Sequence, residues 1–375
     1  AVSSFLTPTK SLVTSIDWRS VAQIAWRYYQ PDVGVNRQTG ISRAKLDWDA
    51  LTDWNTGSYV LATIDAHRFG LVETNGTWGL RDRMSRVLRH LLTRPLTTNL
   101  GVGNWPYWAY YWDGRPYQNP IYLYTDVSDS GRLLYALDIL RKYDPSFVGQ
   151  VQQVFQRCKT AYDAMSRRID ERLNYYGVLE AVGFKAFGYD KSHVISVFEN
   201  WRGSLIVVED QILPLTQTAT EPTLHGILDL GLRGQFMEYA RRAYEAQKTR
   251  TVRTGRLSGW SEGCHPGHEY VYEWILTDQG EAWVIAKHDG TKLNIEPLMY
   301  TKIAFGYYAI FGANSYTLAL LNAVSGLYHD RFGFGEATFE NGQSALSLWG
   351  DNIQGFYSDS TNQIILAAAR YVLKR

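Results

Sequence analysis

Residues 104–137 read NWPYWAYYWDGRPYQNPIYLYTDVSDSGRLLYAL. Trp105, Tyr107, Trp108, Tyr110, Tyr111, Trp112, Tyr117, Tyr122 and Tyr124 crowd the first part, and Asp126 and Asp129 stand just ahead of an apolar, helix-like run. A core segment seldom uses so many rings with polar tips, because each buried hydroxyl or indole N–H needs its own partner. A cleft for a flat, hydroxylated ligand does use them. A pyranose offers an apolar face for stacking and a rim of hydroxyls for carboxylates and amides. The stretch predicts a saccharide-binding loop opening into a helix; the alternative is an aromatic loop packed over a helical core.

The cadence of loop, small residue and apolar helix recurs on both sides of this stretch. Asp17 caps a stripe through Val21, Ile24, Ala25 and Tyr28, and Asp53-Trp54-Asn55-Thr56-Gly57 precedes a helix through Tyr59, Leu61, Ile64 and Ala66. Further helical patterns fall at 79–94, 148–169, 193–208, 221–232, 234–248, 269–286, 298–312, 315–328 and 360–373, while the Gly/Tyr-rich 174–192 reads as loop or short strands. The count is about twelve helices, with few period-2 strands, which predicts an all-α fold. Helix pairs spaced at roughly 50–60 residues suggest an (α/α)6 toroid with long aromatic loops around a central funnel. No Ser/Gly-rich tract, Pro-rich tract or charge block divides the 375 residues. The expectation is one domain over 1–375, with 1–16 as an N-terminal extension.

Thirty-eight basic against thirty-seven acidic residues give a net charge of +1, which argues against nucleic acid or an anionic membrane as partner and for a neutral carbohydrate. The longest apolar run, near Ile364–Ala369, is too short to span a bilayer. An opening Ala in place of Met predicts a processed chain exported to the periplasm or the exterior. Cys158 and Cys264 fit either one bridge or two buried thiols. His265 and His268 lack further spaced ligands, so neither a metal nor a cofactor is expected. Oligomeric state is not encoded in any recognisable pattern.

Several segments together resemble the glycoamylase-like toroids and the glucanase and glucan-synthase domains related to them. Trp54-Asn55-Thr56-Gly57-Ser58 followed by YVLATIDAHRFGLV is similar to that family's opening signature, with Asn55 where the family usually has Asp. Tyr110-Tyr111-Trp112-Asp113, then Tyr124 through Gly131-Arg132, resembles its aromatic-Tyr-Asp turn and Ser/Thr-x-Asp-x-Gly helix start. Thr220-Glu221-Pro222-Thr223 resembles an acidic inner-helix start, and Gly333–Ala337 with Ser360–Leu366 resembles the closing signature. The matches run in order from about 46 to 373. The resemblance implies glycoside hydrolysis, or transglycosylation, of a neutral glucan-like chain.

Acetal cleavage needs one protonated carboxyl and one ionised carboxylate. By itself Asp129 reads as an N-cap; the resemblance makes it the base, with Asp126 sharing or bracing that site. Glu221 reads as a helix-start carboxylate; the resemblance makes it the general acid. Asp113 fits an Asx turn and ligand binding equally well. The candidate substrate-binding set is Asp53, Trp54, Asn55, Trp105, Tyr107, Trp108, Tyr111, Trp112, Trp260, Glu262, Glu269 and Glu336. A non-catalytic glycan-binding toroid, supported by Asn55, and a structural surface protein are the competing readings. No phosphate loop, Ser-His-Asp order or dinucleotide fingerprint is evident.

Overall fold

A computed structural model describes residues 16–97, 103–119 and 121–374, so most of the expected N-terminal extension lies outside the described residues. The helices are α1 (Trp18–Trp26), α2 (Asp53–Arg68), α3 (Leu80–Thr93), α4 (Val127–Tyr143), α5 (Val148–Arg157), α6 (Lys159–Ile169), α7 (Tyr175–Ala186), α8 (Ser192–Ile195), α9 (Thr220–Leu228), α10 (Gly234–Thr254), α11 (Thr301–Phe311), α12 (Ser315–Val324) and α13 (Asp359–Leu373).

Six of them, α2, α4, α7, α9, α11 and α13, are buried over most of their length, as helices lacking a solvent face must be. They pack in that order, and α13 returns to α2 to close the ring. The outer helices α1, α3, α6, α8, α10 and α12 lie against this ring, and α5 packs on α3 and α4. The architecture is the (α/α)6 toroid. Its inner helices run parallel. Asn55 near the start of α2 reaches Asp359 at the start of α13, and Glu221 at the start of α9 reaches Lys302 at the start of α11. Close approach of α4 and α7 needs glycine: a Cβ on Gly131 would lie 2.6 Å from Glu180 Cα, and one on Gly183 would lie 2.2 Å from the Gly131 carbonyl oxygen.

Four segments differ from their sequence patterns. Residues 174–192 contain the inner helix α7; its glycines serve close packing, Gly177 against the Arg172 carbonyl and Gly183 against α4, rather than turns. Residues 193–208 form only one short helix and then a strand, Leu205–Val208, paired with Gln211–Pro214. Residues 269–286 form a hairpin, Tyr270–Leu276 with Ala282–Ala286, and Glu262–Cys264 adds a third antiparallel strand. Tyr270, Tyr272 and Trp274 alternate there with Val271, Glu273 and Ile275, a period of two that the mixed apolar content disguised as a helix. The long pattern over 148–169 breaks at Cys158. Cys158 and Cys264 are free thiols.

Candidate functional site at the funnel mouth

The floor of the funnel is a buried ionic network. Glu221 and His225 stand four residues apart on α9, and Asp229, its C-cap, continues the same spacing. Lys302 donates to the Glu221 carboxylate, His225 Nε2 lies 3.4 Å from the other oxygen of Glu221, and His225 Nδ1 lies 2.9 Å from Asp229. Arg132 of α4 donates to Asp229 at 3.0 Å and to Gln363 of α13 at 2.9 Å. Burial opposes ionisation of Glu221, but Lys302 and His225 outweigh it and hold its carboxyl down at about 2. Glu221 is therefore an ionised partner in a buried pair, without the proton that a general acid must carry.

Above this floor stands Glu262, buried on its strand. Burial pushes its carboxyl up to about 7, against the opposing pull of Lys302 and of the Tyr270 hydroxyl, which donates to Oε2 at 3.2 Å. Among the described residues its Oε1 has no hydrogen-bond partner, and neither does the Tyr176 hydroxyl. Lys302 also donates to the Glu262 carbonyl oxygen at 2.6 Å. Across the opening, Asp126 caps α4 through the Asp129 amide at 2.8 Å, so the cap is Asp126 and Asp129 sits inside the first turn. Burial, then the charges of Asp126 and Asp53, push Asp129 well above the usual carboxylate range. The Tyr272 phenol feels Glu262, Asp126 and Asp129 together, and burial plus this negative field push it well up. Carboxylates from a strand and from a distant helix start thus act on one phenol. That phenol belongs to a cluster of Trp54, Tyr176, Tyr272 and Trp274, with Tyr272 stacked on Trp274 at 5.2 Å.

A further carboxylate closes the ring. Asp359 is buried at the start of α13, and the Asn55 amide donates to both its oxygens at 3.1 Å while Asn55 Oδ1 accepts from the Thr52 amide. Burial raises Asp359 to about 7. The missing charge at position 55 is thereby explained: an Asp there would face Asp359. Glu336, also buried, accepts from the hydroxyls of Ser358 and Thr361 and braces the same end of α13.

Other candidates lie outside this cluster. Asp53 is held by a bidentate buried Arg94, although its charge still acts on Asp129. Asp113 accepts from the Arg115 amide and guanidinium at an exposed hairpin tip, the Asx-turn arrangement. Trp105 is core, edge-on to Tyr124 at 5.0 Å. Trp260 is core too, its indole N–H on Glu340 and its ring under Arg250. Tyr107 packs over Ile41, Leu51 and Tyr110. Tyr111 lies on Tyr117, and Trp112 lies under Arg43. Trp108 belongs to a half-buried shelf, 4.8 Å from Tyr122 and 5.8 Å from Trp48, and Tyr122 meets His288 at 5.1 Å. Glu269 is exposed on a turn beside two cavities.

Lys302, Asp359, Tyr270 and Tyr272 were not singled out from the sequence. Only the alternation Tyr270-Val271-Tyr272-Glu273-Trp274 carried a signal for two of them. Lys302 and Asp359 act through partners forty or more residues away, which local pattern does not encode. Both His265 ring nitrogens face backbone carbonyls, at 2.9 Å each, and no cluster of three or more metal-ligating side chains occurs among the described residues. No helix among them is long and apolar enough to cross a membrane.

Fold and site together define a helical toroid with an aromatic, carboxylate-bearing mouth. The chain belongs to a family of proteins of unknown function, DUF3131, whose profile matches residues 20–170 and 204–374. No curated protein matches its sequence. Among solved structures it is similar to a "putative glucoamylase" from Bacteroides caccae, with TM-score 0.64 and 12% identity over 94% of this chain and 92% of that one. It is also similar to an endo-β-1,2-glucanase from Chitinophaga pinensis solved with sophorotriose and glucose (TM-score 0.60, 13% identity, 94% and 91% covered). A third is an endo-β-1,2-glucanase variant from Talaromyces funiculosus solved with β-1,2-glucan (TM-score 0.60, 13% identity, 95% and 85% covered). At such identities the likeness is one of fold.

Proposed function

We propose that the protein is a glycoside hydrolase, or a transglycosylase of the same chemistry, acting on a neutral glucan-like chain. The observations that carry this reading are that the charges of Glu262, Asp126 and Asp129 all act on the Tyr272 phenol, which lies in a cluster with Trp54, Tyr176 and Trp274, and that the Glu262 carboxyl is raised to about 7. In this reading Glu262 is the general acid: it gives its proton to the glycosidic oxygen as the bond to the anomeric carbon breaks. The Asp126/Asp129 pair supplies the ionised carboxylate that takes a proton from water, or from an acceptor sugar hydroxyl, as that oxygen bonds to the anomeric carbon. Burial and the neighbouring charge of Asp126 raise Asp129, and in this reading the two carboxyls act as one unit. Glu221, the acid the family resemblance suggested, becomes a positioning residue through Lys302. Trp54, Tyr176, Tyr272 and Trp274 offer ring faces to the sugar. Export to where polymeric glucan is met belongs to the same reading.

The test is release of reducing ends from a panel of α- and β-glucans, β-1,2-glucan included, by the wild-type protein and by Glu262→Gln. Turnover by the first and not the second supports the assignment. Glycan binding without turnover by the wild type would favour a non-catalytic toroid.

A further inference from the structure

Outside the mouth, an open cleft of about 440 Å³ lies between the Lys45–Asp47 turn, the Gly267–Glu269 turn and the segment that carries Leu348, Trp349 and Asn352. We infer that this cleft is a second carbohydrate subsite, holding a sugar unit of a chain that leaves the mouth, with Trp349 as its stacking platform. It rests on the proposed function and adds where the rest of the chain lies.

The cleft falls within the roughly 300–1,000 Å³ range of small-molecule sites. Its platform is seated in advance. The half-buried Trp349 ring meets Phe356 edge-on at 6.2 Å, and Gly355 makes room beneath it, since a Cβ there would come within 2.8 Å of the ring. Leu348, 59% exposed beside it, extends the apolar face. The rim is polar and pre-ordered: Asn352 Nδ2 donates to Asp47 at 2.8 Å, and Lys45 lies 3.1 Å from the same carboxylate. Each keeps donors or acceptors for ligand hydroxyls, namely the Asn352 amide oxygen, the remaining Lys45 N–H groups and the free lone pairs of Asp47. One lysine stands against Asp47 and Glu269, while burial and His265 lower the His268 pKa and keep that ring neutral. Such a rim does not attract a phosphate or a polyanion, and it suits a neutral, hydroxylated ligand.

The cleft also adjoins residues that touch the proposed acid. A second cavity of about 210 Å³ shares Gly267, His268 and Glu269 with it and runs to Tyr270 and His288. Tyr270 touches Glu262, and His288 touches the Trp108–Tyr122 shelf. A chain of several units can therefore pass from the proton donor over the 267–269 turn to Trp349.

The test uses the full chain with β-1,2-linked glucooligosaccharides of increasing length, from two to seven units, and α-1,4- and β-1,3-linked sets as alternates, with affinity read by calorimetry. Wild type should bind the long oligosaccharides more tightly than the disaccharide. Trp349→Ala should reduce that long-to-short ratio by about 3- to 10-fold, as loss of one stacked ring does, and Trp349→Phe should restore most of it. Asn352→Ala, an exposed change that leaves the ring in place, should lower the ratio by a smaller factor. An unchanged ratio in both alanine variants, with glucan turnover intact, overturns the subsite alone. Failure of the wild type to bind or cleave any oligosaccharide overturns the proposed function and the subsite with it.

Discussion

The ammonium of Lys302 rests on the carbonyl oxygen of Glu262 at 2.6 Å while it neutralises Glu221. One buried cation thus ties the strand bearing the proposed acid to the ionic floor of the toroid. Removing one partner of a buried pair leaves an uncompensated charge. Lys302→Met should cost about 3–5 kcal/mol in urea unfolding, and Glu221→Leu in the same chain should recover much of the loss. A double variant no more stable than the single one would mean that Lys302 acts by packing alone.

Glu262→Gln removes a proton and almost no volume, and turnover of substrates with poor leaving groups should fall by about 10²–10⁴-fold. Because the carboxyl is raised to about 7, the wild-type rate should fall as pH rises through that value and the acid loses its proton. Activated aryl glycosides, which need little protonation, should lose far less rate in the variant. Equal losses on both substrates would sink the acid assignment.

Asp129→Asn and Asp126→Asn should each slow turnover by about 10²–10⁴-fold, and the double variant should be little worse than either, since the two carboxyls act as one unit. Multiplicative losses would show that they act separately.

Stability should carry two opposite pH signatures. Glu262 and Asp359 are raised to about 7, so ionising them in the folded state is unfavourable, and their contribution declines as pH rises from the ordinary carboxylate range to about 7. Glu221 is depressed to about 2, so its contribution is present above its ordinary value of 4.5 and is lost as pH falls towards 2. Glu262→Gln should flatten the neutral limb of a Tm-against-pH curve, and Glu221→Gln the acid limb.

Asn55→Asp restores the residue usual in the resembling family but sets a carboxylate against Asp359, where the Asn55 amide now donates. A loss of about 1–3 kcal/mol is expected at pH 8, fading near pH 4 as the pair protonates. A variant as stable as wild type at pH 8 would mean that Asp359 has another cation within reach.

The aromatic stretch before α4, the cadence of loop and apolar helix, and the glycine-bearing helix starts at 57 and 131 were legible in the chain itself, because capping and apolar period are local properties. They were enough to predict the toroid, while the carbohydrate-facing mouth read from the same stretch belongs to the proposed function. Local pattern failed where glycine meant contact instead of turn, as at Gly183, and where a strand carried enough apolar residues to pass for a helix, as at 270–276. It also could not decide which acidic residues reach the funnel. Asp53 and Glu221 begin inner helices just as Asp126 and Asp359 do, yet Arg94 holds the first and Lys302 the second, one of these cations on an outer connection and the other eighty-one residues downstream. Whether a carboxyl is a paired anion or a proton carrier depends on which cation the closed ring brings beside it, and that neighbour is set by packing between helices, not by anything within reach along the chain.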